Sequence, residues 1–243
     1  MPALATKIKD RAWSGVFFCM SSFSTTEKLR KFKDVDLYIR PATSDIFVAS
    51  EVFYWNDYPL APRGVVVDLG ANIGAFSLFA ARTAEKVYAF EPDSSNYAQL
   101  LKNIDVNTFS NITAAKKAVG GGSGTVTLYR ALANKGSSSV VAKVSGDMEQ
   151  VEMITLQEVM QQCGIDRIDL LKVDIEGSEY SLFEHASTEV LEKIDQIEME
   201  VHSVRGKQVR DLERRLVEAG FKVQRNKSRI PFSGFEMLFA TRG

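Results

Sequence analysis

The sequence predicts an α/β fold: a mainly parallel seven-stranded sheet with helices on both faces and an antiparallel hairpin at its C-terminal end. Three observations carry this expectation. Val65-Val-Val-Asp-Leu69 is a β-branched run that meets glycines at 70 and 74 and then the apolar segment Ala75 to Ala84, which reads as strand, tight turn and helix. Lys86-Val-Tyr-Ala-Phe-Glu91 repeats the unit, with Tyr97, Leu100, Leu101 and Ile104 at helical spacing behind it. Further on, apolar strands at Ile168–Val173 and Ile194–Val201 precede helical stretches, and Phe221–Gln224 with Gly234–Thr241 form the closing hairpin.

The chain before the first glycine turn is less regular. Gly15-Val-Phe-Phe-Cys-Met20 is too short and poorly flanked for a secretory segment, so it reads as a helix packing on the main domain. Glu27-Lys-Leu-Arg-Lys-Phe-Lys33 is a charge run that reads as a solvated face. Val35 to Arg40 alternates like a half-buried strand, and Pro41 turns the chain toward Phe53, Tyr54, Trp55 and Tyr58. Such an aromatic group packs a core. Placed before the first strand, it can also fold over the carboxyl ends of a parallel sheet, where ligands bind. Residues 1–60 are thus expected to be an N-terminal extension with a lid role, and residues 61–243 the main domain.

Between the second strand and Ile168 the pattern predicts a strand over Ile112–Val119, a turn at Gly120–Gly124, a further strand over Thr125–Tyr129 and a polar rim over Ala131–Ser139. Thr155-Leu-Gln-Glu158 has the spacing of a capping box and opens a helix ending near Gly164. Gly206 to Gly220 reads as an amphipathic helix.

Composition narrows the function classes. The 243 residues, 45% of them hydrophobic, suffice for one sizeable core. Thirty basic against thirty-one acidic residues leave no global field for nucleic acid or an anionic membrane, which favours a small-molecule partner. Cys19 and Cys163 are too few for a disulfide framework and lack metal-ligand spacing, so a reducing cytoplasm is expected.

The glycine turn is read as a cofactor site. Gly70, Ala71, Asn72 and Gly74 bring backbone N–H groups and a helix N-terminus together. A dinucleotide fingerprint needs glycine at position 72, where this chain has Asn72. Asp68 would repel a pyrophosphate and attract an ammonium or sulfonium, and S-adenosylmethionine carries both. Glu91, about twenty residues past the turn, is placed to accept the ribose hydroxyls, with Pro92 at the next helix entrance.

These residues resemble the FkbM-type methyltransferases. The resemblance rests on Asp68-Leu-Gly-Ala-Asn-Ile-Gly74, on Phe90-Glu-Pro92 with Asn96 and Asn103, on Lys172-Val-Asp-Ile-Glu-Gly177 and on Glu200-Val-His202, and covers roughly residues 35 to 240. It implies a class I, Rossmann-like methyltransferase fold and transfer of a methyl group from S-adenosylmethionine to a hydroxyl, often of a sugar or natural product.

A hydroxyl is a poor nucleophile, so a base or a metal must help it lose its proton. Asp174, Glu200 and His202 are the clustered candidates at neighbouring strand ends. In one arrangement His202 or Asp174 is the base and Glu200 fixes the imidazole tautomer. In the other, all three ligate a divalent ion such as magnesium or manganese. Lys172, mid-strand, should pair with a carboxylate such as Asp174; Glu198 reads as structural, and Glu176 and Gly177 as shaping a turn. The competing readings are a nicotinamide-dependent oxidoreductase, which Asn72 opposes, and a non-catalytic S-adenosylmethionine-binding module, which an intact Asp174, Glu200 and His202 oppose.

Overall fold

The protein is described by a computed structural model covering residues 25–55, 57–130, 138–139, 148–227 and 235–242. Gly15–Met20, Cys19, most of the Ala131–Ser139 rim and Pro231 lie outside the described residues. Strands β1 (Lys28–Phe32) and β2 (Val35–Ile39) form an antiparallel pair, and α1 (Asp45–Ser50) runs on into a π turn over Glu51–Trp55. The main domain then opens with β3 (Val65–Leu69), α2 (Ala75–Ala81), β4 (Lys86–Phe90), α3 (Ser94–Val106) and β5 (Ile112–Ala115). Next come β6 (Ala118–Val119), β7 (Gly124–Arg130), β8 (Ser138–Ser139) and β9 (Met148–Ile154). Helix α4 (Leu156–Cys163), β10 (Leu170–Val173), α5 (Glu179–His185), α6 (Thr188–Leu191), β11 (Gln196–His202), α7 (Val209–Glu218), β12 (Lys222–Lys227) and β13 (Phe235–Thr241) complete the order.

Seven strands form the central sheet in the order β12-β13-β11-β10-β3-β4-β5, in which β13 alone is reversed. This is the predicted parallel sheet with its closing hairpin. Every residue of β10 is buried, as expected of an inner strand covered on both faces, and Lys172 is its one charged member. Leu69, Val173, Met199 and Phe183 belong to one apolar cluster. A second joins Val66, Phe76 and Met237 to Phe32, Leu37, Ile46, Phe53 and Tyr58, so the chain ahead of β3 shares the core of the main sheet.

The region between β4 and α4 differs from the sequence expectation. Ile112–Val119 is divided: Ala115 ends β5 in the main sheet, and Ala118–Val119 starts a separate four-stranded sheet of order β6-β9-β7-β8. The Thr125–Tyr129 stretch belongs to that second sheet. Leu128 is its only buried residue, which is too little apolar surface for a strand covered on both faces. β9, whose polar residues mask its alternation, has no counterpart in the sequence reading. The charge run before β2 is an edge strand, mostly exposed apart from Phe32.

The helix entrances near the site follow local rules. The Asp93 carboxylate caps α3 by accepting N–H groups from Ser95 (2.8 Å) and Asn96 (3.0 Å), directly after Glu91-Pro92. Thr155 and Glu158 make the predicted capping box, and Gly164 ends α4 in the left-handed conformation.

Candidate active site

The carboxyl ends of β3, β4 and β10 border an open cavity. Gly70, Asn72, Glu91, Pro92 and Asp174 are on its wall, and Ala118, Val119 and Leu128 of the second sheet close its far side. Gly70 has φ +78°, and a Cβ there would lie 1.8 Å from the Asp174 carbonyl oxygen, so the two strand ends meet this closely only because residue 70 is glycine. Asn72, also left-handed (φ +51°), donates its backbone N–H to Glu91 Oε2 at 2.8 Å, and the Asp93 N–H reaches Oε1 at 2.9 Å. The Glu91 carboxyl is thereby aimed before any ligand arrives. Burial pushes its pKa up to about 7 against the pull of those two N–H groups.

Three members of the predicted cofactor set act from behind the wall. Asp68 is fully buried; its Oδ2 accepts the Ser77 hydroxyl at 2.6 Å and its Oδ1 faces the Lys172 ammonium at 3.2 Å. Its charge is spent inside the protein, which corrects the expectation that it attracts the cofactor's cation directly. Ala71 packs against Ala89 and Leu100. Gly74 begins α2, and a Cβ there would lie 2.5 Å from Leu100, so this glycine permits close helix packing.

Lys172 ties the cofactor turn to the acidic side of the site. It donates to the Gly70 carbonyl at 2.8 Å and lies 3.6 Å from Asp174 Oδ2. The expected carboxylate partner is present, but the nearest is Asp68. Burial works against the ammonium, and the charges of Asp68, Asp174 and Glu200 outweigh it, holding the pKa above the ordinary lysine value.

His202 ends β11 beside this group. Its Nδ1 is 2.9 Å from Glu179 Oε1, while Nε2 faces Glu176 Oε2 at 3.4 Å and Asp174 Oδ1 at 4.0 Å. Burial pulls the imidazole down, but the Glu179 hydrogen bond and charge, with Asp174 and Glu176, push it up to about 10. Glu179 Oε1 also accepts the N–H groups of Ile175 (3.2 Å) and Gly177 (3.1 Å). The left-handed curl at Glu176 and Gly177 folds the chain around that carboxylate. Glu179 therefore orients the ring, which corrects the assignment of that role to Glu200.

Glu200 instead accepts the hydroxyl of Tyr58, and Glu198 accepts the Leu60 N–H. Burial and the Asp174 charge raise Glu200 to about 8, opposed by the Tyr58 bond and by His202 and Lys172. Burial of Tyr58, with Glu200, Asp174 and Glu51 nearby, holds its hydroxyl well above the ordinary phenol value, so it stays a donor. Its ring lies 5.2 Å from Phe76 and 5.9 Å from the Lys172 ammonium. Sequence reasoning missed Glu179 as a site residue and took Tyr58 as part of a lid, without its pairing to Glu200. An acid in the first turn of a helix reads as a dipole partner, and Tyr58 is 142 positions from the carboxylate it serves.

One potential ligand atom from each of Asp174, Glu200 and His202 lies within 4.8 Å of the others, the spacing a divalent ion requires. These groups are also matched without one: Tyr58 serves Glu200, Glu179 serves His202 and the Lys172 ammonium sits at Asp174. The arrangement gathers two carboxylates, an imidazole and the Lys172 ammonium in one cluster.

Comparison with known proteins identifies the family of the chain. Residues 68–223 match the methyltransferase FkbM domain. The chain is 27% identical over 232 residues to methyltransferase sdnD of Sordaria araneosa, covering 81% of this chain and 89% of that protein. It is 29% identical over 178 residues to the 31-O-demethyl-FK506 methyltransferase FkbM of Streptomyces tacrolimicus, covering 60% and 68%. Among solved structures, the methyltransferase FkbM of Methylobacillus flagellatus superposes with a TM-score of 0.54 at 20% identity; the match covers 79% of this chain and 47% of that one, about half its length. TrmK of M. capricolum, solved with S-adenosylhomocysteine, gives 0.51 at 11% identity over 81% and 68%, a likeness of fold. The family match spans well over half of the chain, and with it the protein is placed: it belongs to the FkbM methyltransferases and is an S-adenosylmethionine-dependent methyltransferase.

Proposed function

We propose that the protein transfers the methyl group of S-adenosylmethionine to a hydroxyl of a small molecule, a sugar or another natural product. The cavity beside Gly70, Asn72 and Glu91 holds the cofactor, with the ribose hydroxyls donating to Glu91. Asp174, on the wall of that cavity and 4.0 Å from His202, links the two halves of the site. The observation that carries the reading is the imidazole fixed by Glu179 and facing Asp174 and Glu176, two residues on the wall of the cofactor cavity.

In the reaction the acceptor oxygen forms a bond to the methyl carbon as the carbon–sulfur bond breaks, and S-adenosylhomocysteine leaves. The hydroxyl proton passes to His202 Nε2 while Nδ1–H donates to Glu179. Three carboxylates favour the imidazolium in the protein alone. A sulfonium held in the cavity that Asp174 lines would oppose that preference, lowering the imidazole pKa and freeing Nε2. Tyr58 positions Glu200, and the Phe53–Tyr58 segment covers the acceptor side. If it does, proteolysis within it slows when cofactor and acceptor are both bound, whereas equal rates would mean plain packing.

The spacing of Asp174, Glu200 and His202 supports one second reading, in which a magnesium or manganese ion held there acidifies the hydroxyl. A methylation assay over a panel of hydroxylated acceptors, with and without chelator, separates the two. Turnover unaffected by chelator supports the histidine base. Turnover abolished by chelator and restored by magnesium or manganese supports the ion.

A further inference from the structure

Ser178 is 4% exposed, and its hydroxyl has no hydrogen-bond partner among the described residues. It occupies the residue just before α5, where a serine ordinarily accepts an N–H from the first helical turn. No such cap bond forms here. The neighbouring Glu179 carboxylate takes the Ile175 and Gly177 N–H groups instead. Burying a hydroxyl without a partner is unfavourable, and such a group calls for an explanation. Ser178 lies on the wall of the cofactor cavity.

Five of the other polar side chains on that wall are engaged. Asn96 accepts from Arg40 at 2.8 Å. The Lys117 ammonium is held by Glu152 at 2.8 Å and Gln162 at 2.9 Å. Asp174 and Glu176 face His202, and Glu91 is aimed by two N–H groups for the ribose. Beyond the ribose the wall is apolar, formed by Phe90, Ala118, Val119, Leu128 and Ile175, and suits the faces of a flat aromatic ring. A purine in that slot brings ring nitrogens that need a donor at its edge.

We propose that the Ser178 hydroxyl is a cofactor ligand that donates to the adenine of S-adenosylmethionine. This rests on the reading that the cavity holds that cofactor. The hydroxyl goes unpaired in the protein alone and gains its partner on binding, so its removal should weaken the complex without weakening the fold.

Calorimetry on the full chain with S-adenosylhomocysteine and with methylthioadenosine, which keeps adenine and ribose but lacks the amino-acid moiety, provides the test. Ser178→Ala should lose about 3–10-fold in affinity for both ligands. Its ligand-free melting temperature should equal or exceed that of the wild type. Ser178→Cys, near-isosteric and a weak donor, should show the same loss, and Ser178→Thr should retain binding. Unchanged affinity in Ser178→Ala would overturn the proposal. So would a loss confined to S-adenosylhomocysteine, which would move the contact to the amino-acid moiety, or a lower melting temperature in the ligand-free Ser178→Ala protein, which would make the hydroxyl structural. Wild type binding neither ligand would overturn the cofactor reading itself, a result distinguishable from all of these.

Discussion

The two halves of the site are built from different materials. On the cofactor side the protein offers backbone: left-handed residues at 70, 72 and 74, N–H groups aimed at one carboxyl, and close approaches that tolerate no Cβ at position 70. On the acceptor side it offers side-chain charge: Lys172, Asp174, Glu176, Glu179, Glu200 and His202 gathered in poorly solvated space. Backbone geometry resists substitution elsewhere, whereas a charge cluster is held together by its members and changes as a unit. Mutations on the two sides should therefore separate binding from turnover.

The largest separation is expected at His202. His202→Ala should lower kcat by about 10²–10⁴-fold on the true acceptor and leave S-adenosylhomocysteine affinity within about twofold. A His202→Ala, Asp174→Asn double mutant that keeps wild-type kcat would move the chemistry elsewhere.

The converse effect belongs to Glu91. Glu91→Ala should weaken S-adenosylmethionine binding by roughly 1.5–3 kcal/mol, because a charged acceptor for the ribose is lost. Burial has raised this carboxyl to about 7, and the carboxylate is the form that accepts both hydroxyls. Wild-type affinity should thus rise with pH through 7 and level off above it, and Glu91→Gln should flatten the curve. A pH-independent wild-type affinity would contradict the ribose role.

The two halves also differ in how far each could be read from sequence. Asp68 to Glu91 spans twenty-four positions, and its turn, glycines and second strand are local features whose residue types state their geometry. Even there, the sequence left the partner of Asp68 open, since Lys172 arrives from another strand. The acceptor side depends on register: Lys172 is paired with Asp68 on one neighbouring strand and Glu198 on the other, and β11 presents Glu198, Glu200 and His202 on one face. Tyr58 reaches that face from before the first strand of the main sheet. Periodicity gave the existence of these elements but not the pairing, and so Glu200 received a role that Glu179 holds. The second sheet was legible only in part: the Thr125–Tyr129 strand was expected, whereas β9, with Val151 and Ile154 as its buried residues among polar ones, was not.

A smaller effect should appear in stability. Burial, against the Leu60 N–H and Lys172, raises the Glu198 carboxyl to about 8. Its folded pKa exceeds its unfolded value, so its contribution to stability is fully present below about pH 4.5 and is lost as pH rises through 8. Glu198→Gln should accordingly gain melting temperature over wild type between pH 5 and pH 9, by a few degrees. A gap that stays constant or narrows would mean the carboxyl is ionised and compensated.

The central claim is that acids hold His202 as a base that the cofactor's sulfonium releases. The chain has only two histidines, so labelling their imidazole Cε1–H groups resolves both by NMR. A pH titration of the protein alone should place the His202 midpoint well above the ordinary histidine value, and Glu179→Gln should bring it down. The decisive comparison is between the S-adenosylmethionine and S-adenosylhomocysteine complexes, which differ by one methyl group and one positive charge. The account predicts a lower His202 midpoint with S-adenosylmethionine; identical midpoints in the two complexes, or an ordinary midpoint in the protein alone, would contradict it.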